Sequence, residues 1–398
     1  MNINKLFTEF QSIFQTSHQP VTFFAPGRIN LIGEHTDYNG GNVFPAAISF
    51  GTYALARKRH DQLLRFYSLN FSEKGIIECE LNELEYDSNH DWANYPKGMI
   101  QALKQQGHSV SSGMDILYYG NIPNGAGLSS SASIEMVTGV MLEELFDLDI
   151  ERLAMIQLGQ QVENNYIGVN SGIMDQFAIG MGKKNHAMLL DCQSLDFQYA
   201  PVELEDHIIM IMNTNKQRTL AGSKYNERRE QCETALGDLQ SELAINSLGD
   251  LTNEQFEKYQ HLIKDEVNCK RARHAVTENQ RTLKALDELH AGNLSEFGRL
   301  MDASHQSLKE DYEVTGLELD TLVAAARKQE GVLGARMTGA GFGGCAIAIV
   351  EKAHQEAFRD QVNAIYRGKI GYDATFYPAS ISDGAKKVDD VRSVPTAE

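Results

Sequence analysis

The sequence predicts an α+β chain folded as two domains. Its 398 residues exceed what one hydrophobic core commonly serves. The first half alternates short apolar runs with glycine-bearing turns, whereas residues 224–310 are rich in Glu, Arg, Lys and Leu, a composition for successive long helices. Strand-like runs then return after residue 330.

At the start, MNINKLFTEFQSIF sets Ile3, Leu6, Phe7, Phe10 and Phe14 at helical spacing with polar residues between, unlike the apolar core of a secretory signal. VTFF (21–24), GTYALARK (51–58), LLRFYSL (63–69) and GIIECEL (75–81) read as strands. DWANYPKGMIQALKQQG reads as a helix ending at Gly107, and MDILYYG (114–120) as a strand. From Ile134 a helix places Val137, Val140, Met141, Leu142 and Leu145 near one face, and a second helix is expected over 150–166. AMLLDC (187–192), HIIMIMNT (207–214), GVLGARMT (331–338), CAIAIV (345–350) and ATFYPA (374–379) are further strands, with a helix over 352–366. The domain change is expected around 180–215, which divides the chain into 1–185 and 186–398; the tail KKVDDVRSVPTAE is expected to fray.

Composition excludes several functions. Thirty-six basic against 54 acidic residues give a formal charge of −18, which repels nucleic-acid backbones and anionic membrane surfaces. Such a chain can hold an anion only where donors are concentrated locally. Its five cysteines include no CxxC pair, so neither a zinc knuckle nor a redox dithiol is indicated. No apolar run approaches the roughly 20 residues of a membrane span. A cytoplasmic protein with no nucleic-acid or membrane partner is the expectation, and a monomer.

Three glycine-bearing segments carry the chemistry. APGRINLIGEHTDYNGGNVFPAAI (25–48) crowds Glu34, His35 and Asp37 behind Gly33, with Arg28 as its cation. Buried together these charges need partners, and paired carboxylates beside a histidine suit the hydroxyls of a polyol better than a metal. A solvated loop is the plainer alternative. PNGAGLSSSASIEM (123–136) puts three consecutive serines at a helix start. One serine would cap the helix; three behind Gly125 and Gly127 suggest a phosphate cradle of backbone amides and hydroxyls, without the lysine of a Walker A loop. ARMTGAGFGGCAIAIV (335–350) satisfies GxGxxG, but the glycines precede an apolar strand instead of opening a helix. A glycine turn between two strands is therefore expected, not a dinucleotide site.

Together the three segments resemble the motifs of the GHMP kinase superfamily, and GRINLIGEHTDYNGG resembles the signature of its galactokinase family. NSGIMDQF (170–177) is similar to that family's stretch with a catalytic aspartate. The resemblance implies an N-terminal mixed sheet like that of ribosomal protein S5, a ferredoxin-like C-terminal domain and an active site in the cleft between them. It implies transfer of the ATP γ-phosphoryl group to the anomeric hydroxyl of D-galactose. Asp175 and Arg28 then match the catalytic positions, and Glu34, His35, Thr36, Asp37 and Tyr225 the sugar-binding ones. Gly125, Ala126, Gly127, Leu128, Ser129, Ser130 and Ser131 match the phosphate loop, Ser68 a nucleotide contact, and Ser131 with Glu163 the ligands of Mg2+. A non-catalytic galactose and ATP sensor, or a kinase for N-acetylgalactosamine or arabinose, are the alternatives. Two departures stand out: Ala340 where the family often has glycine, and Asn170-Ser171 where it often has Pro-Cys.

Overall fold

The computed structural model describes residues 3–123, 126–169, 171–216 and 221–388. Two sheets dominate it. The first has six strands in the order Lys386–Lys387, Val21–Asn30, Pro45–Lys58, Met114–Gly120, Leu63–Ser68 and Ile77–Glu80. It is mixed: Leu63–Ser68 runs parallel to Met114–Gly120, and the other pairings are antiparallel. The parallel pair needs a crossover, which the helix Asn94–Gln105 supplies. The second sheet is antiparallel, in the order Val332–Thr338, Cys345–Glu351, His207–Asn213 and Thr375–Ala379. A small third sheet joins Asn42–Val43, His186–Asp191 and Phe197–Pro201.

The apolar pattern of each strand explains the layering. Phe23, Ala54, Phe66 and Ile116 point to the face covered by the helices Asn94–Gln105, Ser130–Phe146 and Arg152–Gln161. On the opposite face Phe24, Tyr53, Leu55 and Leu117 receive Leu6, Phe10 and Phe14 of the helix Ile3–Phe14. The second sheet packs Met210, Met212, Ala346 and Ala348 against its own helices, including Gly316–Ala326 and Gln355–Ile370. Its other face, with Ile211 and Ile347, meets Ile29, Ile32, Phe44 and Ile48 of the first half. Burying a side chain of that size contributes roughly 1.5–3 kcal/mol, so the two domains share an apolar seam that fixes their orientation.

Several elements depart from the sequence reading. The first strand continues past VTFF to Asn30, with its register shifting between Pro26 and Arg28. A Cβ at Gly27 would stand 2.6 Å from the Leu128 carbonyl oxygen, so a glycine there admits the serine loop against the strand. The expected second helix ends at Gln161 and continues as a π-turn over Val162–Ile167. The tail does not begin as frayed chain: Lys386 and Lys387 pair with Phe24 and Phe23, while residues 389–398 lie outside the described set. The short helix Met174–Met181 carries Asp175 in its first turn.

Candidate active site

The bend after Pro26 turns Arg28 into the molecule, where its backbone N–H donates to the Leu128 carbonyl at 3.1 Å. Its guanidinium forms a two-point pair with Asp175, Nε to Oδ1 at 2.8 Å and Nη2 to Oδ2 at 3.0 Å. The remaining nitrogen, Nη1, donates to Gly127 O at 2.8 Å. Arginine is suited to this because its planar fork keeps its charge and matches a carboxylate. Asp175 sits in the first turn of Met174–Met181, whose N-terminal end favours a negative side chain.

Ser129 occupies the position before the helix Ser130–Phe146, but at φ +65° it makes no side-chain cap. Its hydroxyl donates instead to Asp175 Oδ2. Serine as a mere cap is thus ruled out at this residue. Ser130 and Ser131 open the helix and line a cavity of about 220 Å³ with Ser68, Phe71, Trp92 and Tyr95. Asn124 and Gly125 lie outside the described residues.

A second cavity, of about 550 Å³, is lined by Arg28, Asp175, Glu34, His35, Asp37 and Tyr225, with Gly339 and Ala340 from the third glycine segment. The structure therefore gathers residues from four separate stretches on one wall. Thr36 is not among them: its Oγ1 lies 2.9 Å from Gly33 O and 2.7 Å from Asn42 O, bracing the turn.

The acids of this cavity differ in environment. Burial raises Asp37 to about 6, with the Asp175 charge adding to the effect. Burial also raises Glu34, although Arg336 and Asn30 pull against it. His35 is driven down to about 3 by burial and by His274, so it is a neutral imidazole at physiological pH. Its Nδ1 lies 2.8 Å from Tyr38 OH, and its Nε2 3.2 Å from Ala340 O. A carbonyl accepts only, so the proton sits on Nε2 and Nδ1 accepts from Tyr38. Tyr38 OH in turn meets Tyr312 OH at 2.7 Å. Tyr225 packs its ring 5.5 Å from His35 and 5.4 Å from that of Tyr38.

Glu163 lies buried in the π-turn, and its Oε2 accepts from Ser171 Oγ at 2.6 Å. Ser171 thus contributes a hydroxyl to the loop at the Asn170-Ser171 departure; Asn170 itself lies outside the described residues. Glycines 339, 341, 343 and 344 all have positive φ, whereas Ala340 does not, which explains why alanine is tolerated there. That segment joins antiparallel strands, Thr338 opposite Cys345, as expected for a turn and not a dinucleotide loop.

Sequence reasoning missed the supports behind these residues. Arg336, fully buried, holds Glu34 Oε2 at 2.9 Å. Glu278 accepts from the Gly33 N–H at 3.0 Å, and His274 Nε2 meets Glu34 O at 3.0 Å. A charged residue in the middle of the apolar run GVLGARMT was the available signal for Arg336.

Comparison with known proteins matches the chain along most of its length. Family models for the GHMP kinases N-terminal domain and C-terminal region match residues 94–183 and 284–368, and a galactokinase galactose-binding signature matches 8–58. The fold is that of a two-domain GHMP kinase. A mevalonate kinase from Methanococcus jannaschii shares it at a TM-score of 0.67 and 19% identity, covering 92% of this chain and 100% of that one. Within the superfamily the particular family is also clear. The galactokinase of Ligilactobacillus salivarius is 62% identical over 96% of this chain and 98% of its own. That of Streptococcus thermophilus (strain LMD-9) is 58% identical over 98% and 100%. The crystal structure of Lactococcus lactis galactokinase complexed with galactose superposes with a TM-score of 0.94 at 54% identity, covering 97% of this chain and all of that one. The chain belongs to the galactokinase family.

Proposed function

We propose that the cleft transfers the γ-phosphoryl group of ATP to the anomeric hydroxyl of D-galactose, giving galactose 1-phosphate and ADP. One observation carries the reading: Asp175, paired with Arg28, shares a cavity with Glu34, His35, Asp37 and Tyr225, and is bonded to Ser129, the residue just before the helix Ser130–Phe146. Sugar in the larger cavity directs hydroxyls at Glu34 and Asp37 and packs on Tyr225. Asp175 orients the C1 hydroxyl and accepts its proton as the new O–P bond forms and the bond to the β-phosphate oxygen breaks. Arg28 stays charged throughout and offsets the negative charge gathering on the transferred group.

The amides of residues 126–131 and the hydroxyls of Ser130 and Ser131 face the phosphates, and the smaller cavity, with Ser68, Phe71, Trp92 and Tyr95, takes the nucleotide. Magnesium fits the donor set, since Ser131 and Glu163 offer hard oxygens, and one Glu163 oxygen is already engaged by Ser171. Among the described residues no cluster of three or more His, Cys, Asp or Glu could hold a metal alone, which suits an ion completed by phosphate and water. When bound, magnesium withdraws charge from the phosphate oxygens.

Residues 1–185 and 186–398 are proposed as the two units; one apolar cluster is drawn wholly from residues beyond 207, while the other also takes in Met188, Leu190 and Ala385, and Lys386–Lys387 returns to the first sheet. A cytoplasmic monomer is proposed too; no described helix is long and apolar enough to cross a membrane. The test is an ADP-release assay across a panel of monosaccharides, with product position read by phosphorus NMR. Galactose should be preferred and phosphorylated at C1. Preference for N-acetylgalactosamine or arabinose, or phosphate at another carbon, would overturn the reading.

A further inference from the structure

Glu34 and Arg336 come from opposite halves of the chain and meet out of contact with solvent, at 2% and 0% exposure. Arg336 is anchored on three sides: Nη1 donates to Asn30 O at 2.9 Å, Nε to Ser304 Oγ at 3.1 Å, and Nη2 faces Glu34 Oε2 at 2.9 Å. The last contact is an ion pair without hydrogen-bond alignment, so Glu34 Oε2 keeps lone-pair capacity. Its other oxygen accepts from Asn30 Nδ2 at 2.8 Å. Two residues beyond Arg336 the strand ends, and Gly339 and Ala340 line the sugar cavity.

We propose that Arg336 is the positioning residue that holds Glu34 ionised and aimed as the acceptor for a sugar hydroxyl, joining the sugar wall to the third glycine turn. This rests on the reading of the larger cavity as the sugar site. Arg336 is the nearest charge able to do it. Of the other groups around Glu34, Arg28 is committed to Asp175, Asn30 and the Gly339 N–H are neutral, and His274 is neutral because burial brings it to about 4. Glu278, from the helix Glu266–His290, is a second acid 3.9 Å from Arg336, and Arg281 satisfies it at 2.9 Å. Ser304, from Leu294–Glu310, bonds both Glu278 and Arg336, locking the guanidinium in place.

The test is a cycle of Arg336→Gln, Glu34→Gln and the double variant, reading KM for galactose, kcat and their pH dependence, with galactose binding by calorimetry. In Arg336→Gln, KM should rise about tenfold or more, the loss typical of a charged hydrogen bond, while kcat moves less. Its KM-against-pH curve should acquire a limb above that of wild type, as Glu34 takes up a proton in the assay range. The double variant should lack that limb and be no weaker than Glu34→Gln alone. Effects that multiply, or a limb that persists without Glu34, would overturn the proposal while leaving the sugar site intact. An unchanged KM in Glu34→Gln would overturn the sugar-site reading itself, and this proposal with it. If Arg336→Gln does not fold, Arg336→Lys keeps the charge but cannot span the same three acceptors, and the same non-additivity with Glu34→Gln is required.

Discussion

Arg28 and Asp175, 147 residues apart in sequence, meet as a two-point ion pair whose third guanidinium nitrogen reaches Gly127 O. One arginine therefore fixes the acid and the serine loop relative to each other. Lysine can satisfy only part of this geometry. Arg28→Lys should lower kcat by about tenfold to a hundredfold and raise KM for ATP, with calorimetric galactose affinity changing least.

In the proposed sugar site, Asp37 is the group expected to bring a pH dependence. Burial and Asp175 raise it to about 6 from an ordinary 3.8, so below that value it is protonated and accepts from a sugar hydroxyl more weakly than the carboxylate does. Galactose affinity measured by calorimetry should fall as pH drops through about 6. Asp37→Asn should remove the inflection, and Asp175→Asn should move it to lower pH by taking away a repelling charge. The folded state holds this proton more tightly than the unfolded chain, so Asp37's contribution to stability declines as pH rises from 3.8 to about 6.

Glu278 shifts the other way. Burial alone would raise it, but Arg281, His274 and Arg336 bring it down to about 2. Its contribution to stability is complete above pH 4.5 and is lost as pH falls toward 2. Glu278→Gln takes the acid from half-buried Arg281 and one of two acids from buried Arg336, and should cost about 1–3 kcal/mol in chemical denaturation at pH 7. The gap from wild type should narrow at pH 4.

His35 should remain a neutral ring with its proton on Nε2 from pH 5 to 8, the carbonyl of Ala340 requiring that tautomer. Nitrogen NMR of labelled histidine reads this directly. Tyr38→Phe leaves Nδ1 buried without its donor, and should cost about 1–3 kcal/mol of stability.

Trp92 is the sole tryptophan, and it lines the smaller cavity with Ser68, Ser130 and Ser131. Adding MgADP should change its fluorescence, and galactose alone should change it far less. The reverse order of responses would place the nucleotide elsewhere.

The parts of the site legible in the sequence were those written locally. Glu34, His35 and Asp37 stand within four positions, and the three serines within three. Strands with strong apolar runs, such as MDILYYG, were readable to the residue. The unread parts depend on distant pairing. Arg336 meets Asn30 across 306 positions and His274 meets Glu34 across 240, and no periodicity encodes such partners. Ser129 was legible as a serine at a helix start, but its bond to Asp175 follows from a left-handed backbone that sequence does not show. Glu163 was placed on a regular helix, because the π-turn Val162–Ile167 is a single turn, too short to show in the apolar period.

In the proposed reaction Asp175 prepares the sugar hydroxyl for attack without being needed to hold the sugar. The direct measurement is single-turnover phosphorylation of galactose by Asp175→Asn alongside calorimetric galactose binding. Affinity within a few-fold of wild type, with the phosphoryl-transfer rate down by about a hundredfold or more, is the predicted result. A transfer rate close to wild type would contradict it.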